Sequence, residues 1–222
     1  MEISREEYLR EKYLRCRPVN ILREVEDARL KEDLPRYIEL AKESGASDAA
    51  GVERNSWFID PRVTLKCTVP RCRNYGTCGN CPPHTTAAAA TAEIINKYRK
   101  GVLLRWEYPR ETSREAGTEY RRAMYQTLAA IEAAAFYDGH YLACGFGSGS
   151  CRRALCSDGI CQELTEPHKG CRNPLLARPS MEAVGFDVYK TAAAAGWILN
   201  PAGGNCPEAV PTLSRIAIVL IA

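Results

Sequence analysis

Apolar and polar residues follow one another along this chain in patterns typical of both helices and strands. The first 45 residues are highly charged, and their apolar positions recur at helical spacing, which predicts N-terminal helices. Further along, strand-like runs alternate with helical patterns. The predicted strands are 52–59, 63–65, 102–106, 141–144, 197–199 and 214–221. The predicted helices are 87–98, one that follows a capping box at Thr112, and one that opens at Ser180.

Strands that alternate with helices favour an α/β fold, with a mixed or mostly parallel sheet, helical cover and two cysteine-rich loops. We divide the chain into a charged N-terminal helical segment, residues 1–45, and an α/β domain, residues 46–222. Each cysteine-rich loop follows a predicted strand and precedes a predicted helix. Because open parallel sheets collect their sites at one edge, we expect the two loops within roughly 15 Å of each other.

Charge and hydropathy exclude several classes of protein. The chain has 30 Lys and Arg against 27 Asp and Glu, with no clustered basic face, so nucleic acid is not an expected partner. The longest apolar run, 216–222, is far shorter than the ~20 residues that cross a bilayer, so we expect no membrane insertion. No apolar segment typical of a secretory signal follows the N-terminus, and this predicts a cytoplasmic protein.

The cysteines are numerous and clustered. Eight of the 11 fall into two groups. The first cysteine group is Cys67, Cys72, Cys78 and Cys81, and the second cysteine group is Cys151, Cys156, Cys161 and Cys171. Because the cytosol keeps thiols reduced, such groups favour metal binding over disulfides. We therefore predict that these eight residues are metal ligands.

The spacing within each group bears on which metal is bound. Structural zinc sites usually bring two short cysteine knuckles separated by a longer spacer, and only Cys78-x2-Cys81 is clearly such a knuckle. Cysteines strung more evenly suit an iron–sulfur cluster, and a proline follows the last ligand of bacterial ferredoxin runs, as Pro82 follows Cys81. The spacing therefore favours two [4Fe-4S] clusters, one for each group, with zinc as the alternative.

Two segments resemble a known family. Residues 78–85 read Cys-Gly-Asn-Cys-Pro-Pro-His-Thr, and residues 171–188 contain the run Arg-Pro-Ser-Met-Glu-Ala. From Val52 onward the chain is similar to the predicted metal-binding proteins named domain of unknown function 2284. The resemblance implies a two-cluster iron–sulfur protein of anaerobes. In such proteins we expect a closer cysteine pair than Cys151 and Cys156, so Cys144 and Cys206 are alternative ligands of the second cluster.

Two clusters without a recognisable substrate motif predict an electron-transfer subunit, a ferredoxin-like relay. Its expected partner is a redox protein or a larger enzyme complex, and the sequence leaves open a homo-oligomer. One alternative is a redox or sulfur-chemistry enzyme with a labile iron. The other is a zinc-stabilised interaction module. We interpret His84, His140 and His168 as hydrogen-bond donors rather than ligands, and we expect Arg178 to pair with Glu182.

Overall fold

The computed structural model describes residues 18, 19, 21, 27–156, 158–200 and 211–221. The helices are α1 (Asp27–Glu43), α2 (Pro61–Leu65), α3 (Ala88–Ile95), α4 (Arg114–Tyr137), α5 (Arg152–Leu155), α6 (Gln162–Thr165) and α7 (Val188–Ala194). The strands are β1 (Asp48–Glu53), β2 (Lys100–Pro109), β3 (Cys144–Phe146) and β4 (Thr212–Ile221). Short 3-10 turns occur at Arg54–Ser56, Pro167–Lys169 and Glu182–Val184.

The four described strands form one sheet in the order β1-β2-β4-β3, and every neighbouring pair is antiparallel. The longest pairing joins β2 to β4, from Lys100 opposite Ile221 to Pro109 opposite Thr212. The prediction of an α/β fold with a mixed or mostly parallel sheet is therefore wrong. The fold is α+β.

Two local features explain the difference. Residues 63–65 lie in helix α2 rather than in a strand, because Pro61 opens the helix and the Asp60 carboxylate accepts a hydrogen bond from the Arg62 N–H at 2.8 Å. Strands β2 and β3 do run in the same direction, since both are antiparallel to β4, and α4 connects them. Strand β4 lies between β2 and β3, so each pair of neighbouring strands in the sheet is antiparallel.

Both faces of the sheet are buried, and the alternation along β4 shows this directly. Ala217, Val219 and Ile221 pack with residues of α1 and α4 in what we call the helix-side core. The intervening Ile216, Ile218 and Leu220 pack on the opposite face, together with short elements and loops. Three of the candidate ligands belong to the helix-side core, namely Cys78, Cys81 and Cys151.

Helix α1 runs unbroken through Pro35, and it is joined to the end of α4 by polar contacts. The carboxylate of the buried Asp33 accepts a hydrogen bond from Nε2–H of His140 at 2.9 Å, and the Tyr37 hydroxyl donates to Asp138 at 2.9 Å. No described helix is long and apolar enough to cross a bilayer. The domain division at residue 45 stays a prediction.

Candidate metal centre

The two cysteine groups meet in space. The first lies in the loop between α2 and α3, and the second lies between β3 and α7. The sulfurs of Cys78 and Cys151 are 3.5 Å apart. The two loops therefore lie side by side, as expected, although the parallel sheet from which we derived this is wrong.

A cavity of about 310 Å³, which we call the small cavity, collects most of these cysteines. It is lined by all four members of the second group and also by Cys78. Arg152, Arg172 and Asn173 lie in the same wall. The small cavity is thus built from both loops, and it brings five thiols around one space.

Cys67 and Cys72 face a different space. They line a cavity of about 900 Å³, the large cavity, which extends towards α7 and the start of β4. Cys81 is buried in the helix-side core close to Cys78. The first cysteine group is therefore divided, with Cys78 at the small cavity and two members at the large one.

Nitrogen donors point at four of the sulfurs. The backbone N–H of Asn74 donates to Cys72 at 3.5 Å, and that of Asn173 donates to Cys171 at 3.4 Å. The Gly79 N–H donates to Cys161 at 3.3 Å and the Asn80 side-chain amide to Cys151 at 3.4 Å. Such bonds stabilise negative charge on sulfur, which is the form of cysteine that binds metal.

A repeated tripeptide accounts for two of these bonds. Cys72-Arg73-Asn74 in the first group and Cys171-Arg172-Asn173 in the second both turn the N–H of the asparagine back onto the cysteine sulfur. Our sequence analysis missed this repeat, although the tripeptide was visible. It indicates that the two loops present their ligands in a similar way.

The electrostatics of the sulfurs indicate a need for positive charge. Hydrogen bonds from Cys151 and Cys81 lower the pKa of the Cys78 thiol, while the same contacts, together with burial, raise the pKa of Cys81 and Cys151. Burial also raises the pKa of Cys67 and of Cys156, and the charges of neighbouring thiols add to it. Cys78 is therefore the thiol that these contacts favour as a thiolate. Deprotonation of the neighbouring thiols needs a bound cation to balance the added negative charge.

The donor set fits a thiophilic metal or cluster. The sulfurs are soft ligands, several are partly desolvated, and N–H groups support them. Within the part of the chain that the structure describes, no three His, Cys, Asp or Glu side chains are grouped closely enough to hold a single metal ion.

A family model matches residues 52–221, more than half of the chain. The model is that of domain of unknown function 2284, described as a predicted metal-binding protein. The chain belongs to this family. No curated protein and no solved structure matches it. Membership of this family supports metal binding by the chain, but it identifies neither the metal nor a reaction.

The other candidate ligands that the structure describes in this family member line neither the small cavity nor the large cavity. Cys144 lines neither of the two cavities described above, and Cys16 and Cys206 lie outside the described residues. His84 and His168 are exposed, whereas His140 is buried against Asp33.

The predicted pair of Arg178 and Glu182 is wrong. Arg178 binds Glu132 of α4, with its Nη2 2.6 Å from Oε2. This leaves Glu182 directed to the large cavity, together with Arg215 of β4. The sequence analysis named Glu182 only as a partner of Arg178 and did not single out Arg215, because an isolated charge near a loop is usually an exposed one.

Proposed function

We propose that the chain binds two [4Fe-4S] clusters through the eight grouped cysteines and serves as an electron-transfer relay for a redox partner protein or a larger enzyme complex. The contact between Cys78 and Cys151 carries this proposal, because two centres bound by these loops would be immediate neighbours. Iron–sulfur clusters supply one-electron transfer, at potentials that hydrogen bonds to sulfur and exposure to solvent adjust.

The chain's own residues would prepare the site in two ways. Burial of Cys78, Cys81 and Cys151 in the helix-side core keeps water from the sulfurs between the two centres. The N–H donors from Asn74, Gly79 and Asn173 stabilise thiolate charge at the outer ligands. Both effects favour a fixed ligand geometry, which lowers the reorganisation that accompanies each electron.

The eight ligands are best shared between the loops. Five cysteines line the small cavity, and a cubane takes four cysteine ligands, so one of the five serves the other centre. The Gly79 N–H donates a hydrogen bond to Cys161, which places the neighbouring Cys78 beside the second cysteine group. Besides burial, the negative charges of Cys161, Cys171 and Cys78 each raise the pKa of Cys156, so these three thiols lie near it. Cys151 lies close to Cys81, which in turn lies close to Cys67.

We therefore assign Cys78 to a centre with Cys156, Cys161 and Cys171. Cys151 joins Cys67, Cys72 and Cys81. The same crossing of one ligand to the other cluster occurs in two-cluster ferredoxins. With this crossing, each metal centre would be bound by cysteines from both loops. Neither centre would then form unless both loops were correctly placed.

Metal analysis is the primary experiment. Protein purified without oxygen should contain roughly eight iron atoms per chain, four for each cluster, with matching acid-labile sulfide. A colourless protein with one or two zinc ions and no iron would overturn the proposal and support a zinc-stabilised module.

Paired serine variants test the crossed ligand sets. Cys78→Ser with Cys156→Ser removes two ligands from one proposed centre, so roughly four iron atoms should remain. Cys78→Ser with Cys67→Ser removes one ligand from each, and both centres should be lost or reduced. The reverse result would assign Cys78 to the first group, as the chain order suggests, and would contradict the crossing alone.

Paramagnetic resonance of the fully reduced protein tests the relay. Neighbouring centres should show magnetic coupling between their unpaired electrons. Two independent, unperturbed signals would contradict a two-station relay while leaving the metal content as measured.

A second candidate function is favoured by one observation. The large cavity beside Cys67 and Cys72 has the size of a small-molecule site, which favours an enzyme that acts at one of the two centres. The contents of this cavity therefore decide between a relay and an enzyme.

A further inference from the structure

The large cavity has the dimensions of a binding site. Its volume of about 900 Å³ lies within the range of cofactor and substrate pockets, roughly 300–1,000 Å³. Its walls come from α2, the cysteine loop after it, the Glu182–Val184 turn, the start of α7 and strand β4. These elements are distant in sequence, so the cavity is a product of the whole fold.

Two polar atoms in its wall are buried without a hydrogen-bond partner. They are Oε2 of Glu182 and Nε of Arg215. A buried donor or acceptor left unpaired costs ~1–3 kcal/mol, and native structures rarely leave one so without a function. Both residues line the cavity, and the charges of Glu182 and Arg215 act on each other, so together they form a polar part of its wall.

The rest of the wall is largely apolar. Tyr108, Phe186, Leu213 and Ile216 all line it. The guanidinium of Arg215 lies over the ring of Tyr108, 5.2 Å from its centre, and this stacking fixes the direction of the guanidinium group. The cavity thus combines one oriented cation with a hydrophobic body.

Most of the other charged side chains that line the cavity already form ion pairs or hydrogen bonds within the protein. Asp60 binds Arg62 through a bond of 2.5 Å, and the Asp187 carboxylate accepts from the Lys190 N–H at the start of α7. Lys66 and Arg62 also line the cavity, but both are exposed, whereas Arg215 is partly buried. Arg215 is therefore the cation placed to receive an anionic group from the interior.

Further positive charge surrounds Arg215. Burial and repulsion from Arg215 and Arg153 lower the pKa of Arg121 to about 10. Within the described ranges, no carboxylate lies at ion-pair distance from Arg121, Arg153 or Arg215. Glu182 is the described carboxyl group whose charge acts on Arg215, and its burial raises its pKa, which favours the neutral form. The surrounding concentration of positive charge therefore attracts an anion.

We propose that the large cavity binds a small organic carboxylate with an apolar body. Its carboxylate binds Arg215, its body packs against Phe186, Leu213 and Ile216, and a second polar group meets Glu182. The anion site itself does not require the clusters proposed above. Its position beside Cys67 and Cys72 would make the bound molecule a neighbour of the centre that holds them.

Calorimetric titration of the anaerobically purified protein tests this proposal. The probes are phenylacetate, hexanoate and acetate, with phenethylamine as the cationic counterpart of phenylacetate and inorganic phosphate as an anion without an apolar body. Phenylacetate and hexanoate should bind, and more tightly than acetate or phosphate. Equal binding of phenethylamine, or no binding of any carboxylate, would overturn the proposal.

Two variants and one control locate the site. Arg215→Gln should weaken phenylacetate binding about ten- to hundredfold, the usual effect of removing one charged hydrogen-bond partner. Leu213→Trp should weaken binding without a change of charge, because the larger side chain occupies part of the apolar wall on which the ligand body packs. Arg54→Gln is the matched control, because Arg54 is exposed in the Arg54–Ser56 turn and does not line the large cavity, so binding should persist.

Metal content is measured on each of these proteins. If Arg215→Gln keeps its metal and loses the carboxylate, the anion site stands whichever metal is present. If Arg215→Gln and Leu213→Trp both bind phenylacetate as the parent protein does, the site is elsewhere and the proposal is wrong. If the parent protein contains no iron but binds phenylacetate as described, the anion site stands and only the proposed cluster is contradicted.

Discussion

A close contact at Gly147 shows how a single residue positions the second cysteine loop. A Cβ added there would lie 2.7 Å from Cε1 of Tyr125, a fully buried ring of α4. The hydroxyl of the same tyrosine donates to the carbonyl of Gly149 at 2.9 Å, just before Cys151. Tyr125 therefore fixes the path of the chain as it enters this loop.

The first prediction concerns this contact. Gly147→Ala should lower the free energy of unfolding by about 1–3 kcal/mol, the usual cost of overpacking. Gly117→Ala on α4 is the control, because nothing lies within 4 Å of the added Cβ, and the change should be neutral or stabilising by ~0.5–1 kcal/mol. Denaturant unfolding in the absence of oxygen measures both, and equal stability of the two variants would contradict the argument.

The second prediction at this scale concerns Cys144. Burial, together with the charge of Glu132, raises the pKa of its thiol to about 11. The thiol is therefore protonated at pH 8, and alkylation by iodoacetamide should be slow there and rise about tenfold per pH unit towards pH 11. Peptide mass spectrometry follows the reaction.

Replacement tests whether Cys144 is also a ligand. Cys144→Ala should keep the full metal content, because Cys144 lines neither cavity. Loss of metal in this variant would make Cys144 a ligand of the second centre, as the sequence analysis allowed.

Among the elements, α4 connects the sheet to the cysteine loops, and its first turn carries a cap. The Ser113 hydroxyl accepts a hydrogen bond from the Ala116 N–H at 3.2 Å, whereas the sequence pattern had favoured Thr112. Ser113→Ala should therefore cost ~1 kcal/mol of stability. Thr112→Ala is the control and should change stability by less than ~0.5 kcal/mol. A larger loss in the threonine variant, measured in the same unfolding experiment, would restore the sequence-based assignment.

The elements also show which parts of the fold the sequence could predict. Strands β2 and β4 and helix α4 were predictable, because each has a long and regular apolar pattern that its packing requires. Residues 63–65 were not, because three residues carry too little periodicity to outweigh a proline and a capping aspartate. The antiparallel sheet was missed because the pairing of β2 with β4 joins distant segments and leaves no local signal.

The candidate site divides in the same way. The clustering of the eight cysteines in the sequence predicts that they are metal ligands, and this assignment stays a prediction. The contact of Cys78 with Cys151 was not, because it depends on the paths of two loops that chain order does not specify. The proximity of Glu182 and Arg215 was not predictable either, since only the fold places both in the wall of one cavity.

For the whole molecule, the structure predicts unequal responses to metal removal. The cysteine loops contain few buried side chains, and Cys78, Cys81 and Cys151 are among them. Metal binding therefore contributes much of the free energy that orders these loops. Metal-free protein should lose hydrogen-exchange protection over 67–83 and 150–178, while β2 and β4 keep theirs. Uniform loss of protection, or none, would contradict this division.

The central place of β4 has a consequence for how the chain is made. On the ribosome, both cysteine loops are synthesised before Thr212, the first residue of the strand that joins β2 to β3. At ~5–20 residues per second, the loops are exposed for a time on the order of seconds while the sheet still lacks that strand. During this interval a cellular metal-delivery system could reach the cysteine ligands while the nascent chain is still open. Strand β4 would afterwards pair with β2 and β3 and complete the sheet next to the cysteine loops.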